Sequence, residues 1–437
     1  MTGEPLLRIR IHDDIRSLQL NSAYRSETVE IPTGRYNLKM SGSDIKLSDG
    51  TTAIHFRPFD IFQPVESAGT IDVPDSLVGD GFHWSHSEDL TYPGGFTFSV
   101  TRGKIELLNI VPLEEYLTSV ISSEMSSSAP SPFLKAHAVV SRSWVLAQIE
   151  IGRYAPVRNS ESDYDIWEWH DRKDHDGFHL CNDDHCQRYH GLSRPISPEA
   201  TRAVSETRGT ILSANDTVVD ARFSKCCGGI SERFSTAWQD IEPPGITSIL
   251  DAATHIPGFA YPFESGKDAE RWIVNEPAVF CNASIDVWDR ITVDMDKKTT
   301  GYFRWNVTYE QDELAALVEK KTSANLSLIR SIDILRRGPS GRALVVRIHG
   351  AGDSISIGKE LTIRRILSPT HLKSSAIIIE QGTSRHGIPE SFTIHGAGWG
   401  HGVGMCQIGA GSMAMQGYDY RAILTHYFPT AELKTLY

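Results

Sequence analysis

Residues 170–191, "HDRKDHDGFHLCNDDHCQRYHG", hold five of the 17 histidines and two of the six cysteines of a 437-residue chain. Imidazole nitrogen and thiolate sulfur are the ligands that zinc takes, commonly four of them in a tetrahedron. His175, Cys181 and Cys186 stand in H-x5-C-x4-C order, with His170, His179, His185 and His190 as candidates for a fourth position. The same residues would also serve a Cys181–Cys186 disulfide or a merely His-rich surface. Zinc here would either stabilise a loop that has no core of its own or, with one position open, activate a water molecule.

A second chemistry centres on one carboxylate. In "VPLEEYLTSVISSEM", Pro112 with Glu114 and Glu115 behind it marks a helix start. At 100° per residue Leu113, Leu117, Val120 and Ile121 form one apolar stripe, and Glu124 falls in its middle. A carboxylate there must be paired, neutralised or turned to a cleft, and desolvation raises its pKa as a general acid requires. If the helix instead stops at Ser122 or Ser123, Glu124 is an ordinary solvated side chain. On the next helix, "SPFLKAHAVVSRSWVLAQIE", Lys135 and Arg142 are seven apart and so nearly superposed two turns along. They would hold an anion or a polar sugar near Glu124, or form a plain solvated face. The small Ala136, Ala138, Ser141 and Ser143 predict close packing on a neighbour.

The third pattern is "HGAGWGHGVGM", residues 395–405, with glycine at 396, 398, 400, 402 and 404. Neither glycine pattern that cradles phosphate fits it. Read as an extended strand, His395, Ala397, Trp399, His401, Val403 and Met405 share one face, and the other is bare backbone open to close approach by a strand or a flat ligand. In "FSKCCGGISERF" the adjacent thiols are unsuited to bridging each other. One is expected in the core, with the Gly-Gly pair as a tight turn, and a nucleophilic cysteine there would need a neighbouring histidine.

The elements that must position these residues read as α+β: mixed β-sheets with a few packed helices around a cleft. Residues 1–87 form a small β-rich module, with alternation in "RSLQLNS", "ETVEIPTGRYNLKM" and "SDIKLSDGTTAIHFRP". Residues 88–437 form the main region, interrupted by the aperiodic insertion at about 155–198. A hairpin turns at Arg102-Gly103, another at Ala214-Asn215-Asp216, a helix is expected at "YEQDELAALVEKK", and two helices close the chain. The net charge is -12 with 40% hydrophobic and 22% charged residues, and no basic run tracks phosphates, so a nucleic-acid partner is not expected. No stretch approaches a transmembrane segment, and no signal peptide is visible at the start.

Together, "VPLEEYLTSVISSEM", "LKAHAVVSRSWVLA", "FSKCCGG" and "GAGWGHGVGMCQIGAGSMAMQGYDYRAILTHYFP" resemble, in order, segments of the sporulation protein D and amidase-enhancer family, over roughly residues 88–437. The resemblance implies a peptidoglycan lytic transglycosylase with Glu124 as its catalytic acid. Such an enzyme cleaves between N-acetylmuramic acid and N-acetylglucosamine, with the muramyl C6 hydroxyl attacking in place of water to leave a 1,6-anhydro end. One carboxylate then suffices, where an ordinary glycosidase needs two.

It also implies glycan strands as substrate, with Lys135, Arg142, Trp399, His401 and Gln407 as substrate-binding residues: Trp399 stacks on sugar and His401 makes a polar contact. It implies structural Zn2+ in the His/Cys loop and an extracytoplasmic, cell-envelope site of action. The family's other name implies the alternative, a non-catalytic wall-binding enhancer of an N-acetylmuramoyl-L-alanine amidase. Three positions depart from the family: Cys406 where Ser is usual, Phe223 where Tyr is common and His137 where Gln is common.

Overall fold

The computed structural model describes residues 3–79, 85–151, 164–168, 175, 177–182, 185–263, 266–297 and 301–437. It is α+β, and the chain divides into two compact units: residues 1–128, 172–209 and 435–437 form one, and residues 129–171 and 210–434 the other.

In the first unit the alternating segments at the start of the chain pair as expected. A six-stranded sheet runs in the order His86–Pro93, Thr70–Val78, Ser17–Leu20, Gly34–Ser41, Asp44–Ser48, Ala53–Phe56. Ser17–Leu20 and Asp44–Ser48 bury every second residue, the mark of a sheet wet on one face. Strand His86–Pro93 crosses residue 87 and pairs with Thr70–Val78, so the compact unit does not end there. A second sheet holds Gly95–Thr101, Lys104–Pro112, Leu6–His12 and Leu180–Cys181 in that order. Its hairpin turns through Arg102 and Gly103, both left-handed (φ 50° and 80°), the geometry whose twist matches paired strands.

Helix Leu113–Glu124 follows directly, with Glu114 and Glu115 at its positive end. Leu113, Leu117, Val120 and Ile121 are all fully buried, and the helix packs on Pro198–Glu206, which Ser197 caps through the Ala200 N–H at 3.1 Å.

The second unit is built on helix Ser131–Ile151, which packs on strand Thr210–Ala214 and on helices Gln407–Met415 and Tyr420–Tyr427. Ala136, Ala138, Ser141 and Ser143 are fully buried, so the small residues do allow the close approach they predicted. Strands Ile329–Arg337, Ala343–Gly350 and Ser354–Gly358 run antiparallel, and Ile166–Trp167 joins the last in parallel. Strands Arg304–Glu310, Ser391–Ala397 and Ile377–Gln381 form a third layer with Ser391–Ala397 central. One apolar core, including Leu314, Val318, Val346, Ile363, Phe392 and Ile394, joins these strands to helices Gln311–Thr322 and Glu360–Ile366.

The glycine segment corrects the expectation of a continuous strand. Regular pairing stops at Ala397, and Gly398, Gly400, Gly402 and Gly404 take φ of 77°, 90°, 76° and 74°. A residue with positive φ at every second position curls the chain rather than extending it. A two-residue strand, Met405–Cys406, then pairs in parallel with Phe223–Ser224. Close approach of bare backbone, the other half of the expectation, is present: a Cβ on Gly404 would lie 2.1 Å from the Arg222 carbonyl oxygen.

Gly404→Ala should therefore cost about 3 kcal/mol, combining left-handed strain with a backbone collision. Gly417→Ala is the control, since Gly417 has φ 93° but no atom within 4 Å of its would-be Cβ. That change should cost only about 1 kcal/mol. Thermal unfolding of the two variants checks the ranking, and equal losses would show that the close crossing is not what demands glycine.

Candidate functional site

Glu124 is the last residue of helix Leu113–Glu124 and only 7% exposed, so the solvated alternative does not hold. Its Oε1 accepts the Arg188 N–H at 2.9 Å. The stretch that supplies this donor is itself anchored. Tyr116 OH donates to Gln187 Oε1 at 3.3 Å, and Tyr189 OH donates to Asn109 Oδ1 at 2.6 Å. Tyr189 also packs its ring on Tyr116 at 4.9 Å and on Tyr92 at 5.4 Å. A buried carboxylate without partners would be costly; here a backbone donor in a locked segment fixes its orientation.

Immediately before that stretch, His175, Cys181, His185 and Cys186 gather one ligand atom each within 4.8 Å of the others. Cys181 Sγ lies 3.6 Å from His185 Nδ1, and Cys186 Sγ lies 3.7 Å from both His185 Nδ1 and His175 Nε2. A tetrahedral zinc ion, with Zn–S of about 2.3 Å and Zn–N of about 2.05 Å, sets S···N edges of about 3.6 Å. The three S···N distances match those edges, so the residues fit such an ion. Neither thiol is in a disulfide, and hydrogen bonds from Cys186, His175 and His185 hold the Cys181 thiol down at about 2 despite its burial, as a thiolate ligand requires.

Among the candidates for the fourth position the geometry selects His185. His179 Nδ1 instead accepts the Arg8 N–H at 3.1 Å, where Leu180–Cys181 joins strand Leu6–His12. His190 is buried outside the group, and His170 lies outside the described residues.

The five residues expected to bind substrate all belong to the second unit, whereas Glu124 and the His/Cys group belong to the first. Lys135 is half-buried on helix Ser131–Ile151. Arg142, on the same helix, is fully buried rather than on a solvated face, and its Nη1 donates to the Thr210 carbonyl at 3.0 Å. That contact ties the helix to strand Thr210–Ala214. Gln407 is buried with its Nε2 3.0 Å from His137 Nε2, and Ser141 Oγ lies 3.4 Å from His137 Nδ1. Burial pushes His137 down to about 3, with Lys225 adding to the effect, so the ring is neutral. Phe223 packs on it with ring centroids 4.7 Å apart.

Trp399 and His401 keep more surface; both are half-buried. Trp399 packs on Tyr302 at 4.6 Å, and Tyr302 stacks on Trp288 at 4.3 Å with only 13° between the planes. The Lys373 ammonium sits 5.4 Å from the Trp399 ring centre, within cation–π range. His401 Nδ1 accepts the Val403 N–H at 3.0 Å and its ring packs on Trp238 at 4.7 Å. Burial beside Arg222, Arg342 and Arg364 drives its pKa well below the ordinary value and keeps it neutral.

Sequence spacing did not reach Asp251 and Cys281, which stand beside Cys227 and Cys406 in a second group of metal-capable side chains. They lie 24 and 54 residues from Cys227, and no local pattern marks either.

Residues 101–213 match the stage II sporulation protein family, and residues 232–404 match a domain of unknown function, DUF8618. The chain is 24% identical over 336 residues to the amidase enhancer of Bacillus subtilis, an alignment covering 72% of this chain and 40% of that protein. It is 26% identical over 349 residues to an uncharacterized protein of Brachyspira hyodysenteriae, covering 80% of this chain and 73% of that one. Glu124, Lys135, Arg142 and the His/Cys group fall in the first family match, Trp399 and His401 in the second, and Gln407 in neither.

His137 gives a pH signature. Its folded pKa is depressed to about 3 from an ordinary 6.5, so on acidification the unfolded chain takes up the proton first. Its contribution to stability is present above about pH 6.5 and falls by up to about 1.4 kcal/mol per pH unit as pH drops towards 3. His137→Gln removes that titration. Denaturant unfolding between pH 6.5 and 4 should show a shallower pH slope for the variant, and parallel slopes would mean that His137 is not neutral in the fold.

Proposed function

We propose that this chain, which matches the stage II sporulation protein family over residues 101–213 and is 24% identical to an amidase enhancer, is a cell-wall factor of that kind. It engages peptidoglycan glycan strands outside the cytoplasm and raises the activity of an N-acetylmuramoyl-L-alanine amidase. The observation that carries this reading is the alignment of 72% of the chain with an amidase enhancer. The chain spans 40% of that relative's length, and no helix among the described residues is long and apolar enough to cross a membrane.

The side chains agree with a binding role. Arg142, Gln407 and His401 place polar atoms on partners inside the fold, whereas Trp399 presents part of an aromatic face backed by Tyr302 and Trp288. Such a face suits the C–H groups of a pyranose ring, with the Lys373 ammonium beside it for polar or anionic substituents.

Glu124 favours a second reading, lytic transglycosylation. In that reaction Glu124 protonates the glycosidic oxygen as the muramyl C1–O bond breaks. The C6 hydroxyl of the same sugar attacks C1, forming the 1,6-anhydro ring, and its proton returns to Glu124. The Arg188 N–H on Oε1 holds the carboxylate in one orientation through both transfers. His175, Cys181, His185 and Cys186 would hold a zinc ion, which with four protein ligands would act as a structural cross-link. Those residues keep the segment before Arg188 in place, and Arg188 in turn orients Glu124.

Purified sacculi, a purified amidase and the full chain test both readings. The chain should raise amidase release of stem peptides several-fold, Glu124→Gln should keep that gain, and Trp399→Ala should lose most of it. With the amidase omitted, mass-resolved muropeptides decide the second reading: anhydro ends that fall by roughly 100-fold or more in Glu124→Gln establish it. Their absence with the unaltered chain removes it, and no stimulation of the amidase removes the first. For the loop, His185→Ala should lower zinc content by about one equivalent and His179→Ala should leave it unchanged. The opposite result would reassign the fourth ligand.

A further inference from the structure

Three of the remaining cysteines are brought together in the second unit from distant parts of the chain. Cys227 lies in the Cys-Cys-Gly-Gly segment, Cys281 in the turn before helix Ile285–Ile291, and Cys406 is the N-cap of helix Gln407–Met415. Asp251 is the fourth member. All four are buried, and one ligand atom of each lies within 4.8 Å of the others. Cys227 Sγ is 3.6 Å from Cys281 Sγ and 3.4 Å from Asp251 Oδ2. A tetrahedral zinc ion has S···S edges of about 3.8 Å and S···O edges of about 3.5 Å, given Zn–S near 2.3 Å and Zn–O near 2.0 Å.

The surroundings are those of a metal-thiolate centre rather than an apolar core. The Cys227 and Gly409 N–H groups point at Cys406 Sγ, at 3.2 and 3.4 Å, and the Gly229 N–H points at Cys227 Sγ at 3.4 Å. Backbone donors of this kind stabilise thiolates and orient them on a metal. Asp251 Oδ1 accepts the Tyr427 hydroxyl at 2.7 Å and has His426 Nε2 at 3.4 Å, which turns Oδ2 towards the thiols. Three thiolates and one carboxylate around a divalent ion leave net negative charge, and the guanidinium of Arg304 is close enough to act on Cys281 and Cys227, and also on Cys226. Its Nη1 also donates to the Gly228 carbonyl at 3.1 Å.

We propose that Cys227, Cys281, Cys406 and Asp251 form a second metal site, a closed tetrahedral centre for one zinc ion. It is distinct from the His175, Cys181, His185 and Cys186 group. Thiolate-rich donor sets select soft or borderline ions, and a closed set of four makes the ion structural. Binding releases the three thiol protons and ties the Cys-Cys-Gly-Gly segment to the start of helix Gln407–Met415. The thiol at 406, where the resembled family usually has serine, thereby gains a role that a hydroxyl would fill poorly. Cys226 is also buried beside these thiols, and is not assigned to the ion.

The test counts metal on the full-length chain by elemental analysis, in a Cys181→Ser/Cys186→Ser background that removes the first group. That protein should retain about one zinc per chain. Adding Cys406→Ser, which keeps a capping oxygen on the helix, should remove it while circular dichroism shows the fold intact. Adding Asp251→Asn should weaken zinc retention against a chelator, and adding Cys226→Ser should leave it unchanged. Cobalt loaded in place of zinc should show thiolate charge-transfer absorption that Cys406→Ser abolishes. Absence of zinc and cobalt uptake in the background protein would overturn the site. So would a mass two hydrogens short with a bond between Cys227 and Cys281, and equal loss of zinc in Cys226→Ser would overturn the ligand set.

Discussion

The second unit depends on two backbones that meet with no side chains between them. Residues 222–228 and 398–406 exchange Cys226 N–H to Trp399 O at 3.1 Å, Trp399 N–H to Cys226 O at 2.8 Å and Met405 N–H to Arg222 O at 2.9 Å. Carbonyls that this crossing leaves over are taken by buried donors. Arg342 reaches Cys227 O and Gly400 O at 3.2 Å each, Trp272 Nε1 reaches Gly228 O at 3.1 Å and Trp305 Nε1 reaches Gly398 O at 2.9 Å. A buried acceptor left without any donor would cost about 1–3 kcal/mol. The crossing therefore holds only if alternate residues lack a Cβ, and that condition fixes where Trp399 and His401 emerge.

In the first unit the governing constraint is the burial of polar groups. Glu124, Gln187, Tyr189 and Asn109 are buried, and each is hydrogen-bonded to another part of the same frame. Because the strand Lys104–Pro112 supplies Asn109 and runs directly into helix Leu113–Glu124, the helix that ends in the carboxylate and the Gln187–Tyr189 segment that orients it share one support. Such a frame holds a carboxylate within the narrow tolerance that either proton transfer or specific recognition demands.

Local pattern revealed much of this. Apolar periodicity placed Leu113, Leu117, Val120 and Ile121 on one face and located Glu124 on it. The His/Cys composition located the four side chains of the first metal-capable group, because they lie within a dozen residues of one another. What escaped the sequence is non-local or handed. Spacing cannot tell His179 from His185, since the choice depends on an edge bond from Arg8. Asp251 and Cys281 have no neighbour in sequence that marks them. The glycine segment alternates like a strand, but alternation alone does not distinguish extended residues from residues of positive φ, which glycine adopts equally readily. Arg142 looked like a surface cation because the helix pattern does not say that strand Thr210–Ala214 covers it.

The three departures from the resembled family are linked through this same crossing. Phe223 pairs with Met405 and packs its ring on His137, His137 meets Gln407, and Gln407 follows Cys406, which pairs with Ser224. A neutral imidazole between an aromatic ring and an amide satisfies both of its nitrogens, with Ser141 on one side and Gln407 on the other. A phenol in place of Phe223 would bring a hydroxyl beside a ring that desolvation already keeps uncharged. Aromatic packing at 223 and imidazole at 137 are thus mutually consistent, and a thiol at 406 extends the same exchange from hydroxyl chemistry towards softer donors. The three departures therefore lie at one place in the fold, where helix Ser131–Ile151 meets the paired strands Phe223–Ser224 and Met405–Cys406.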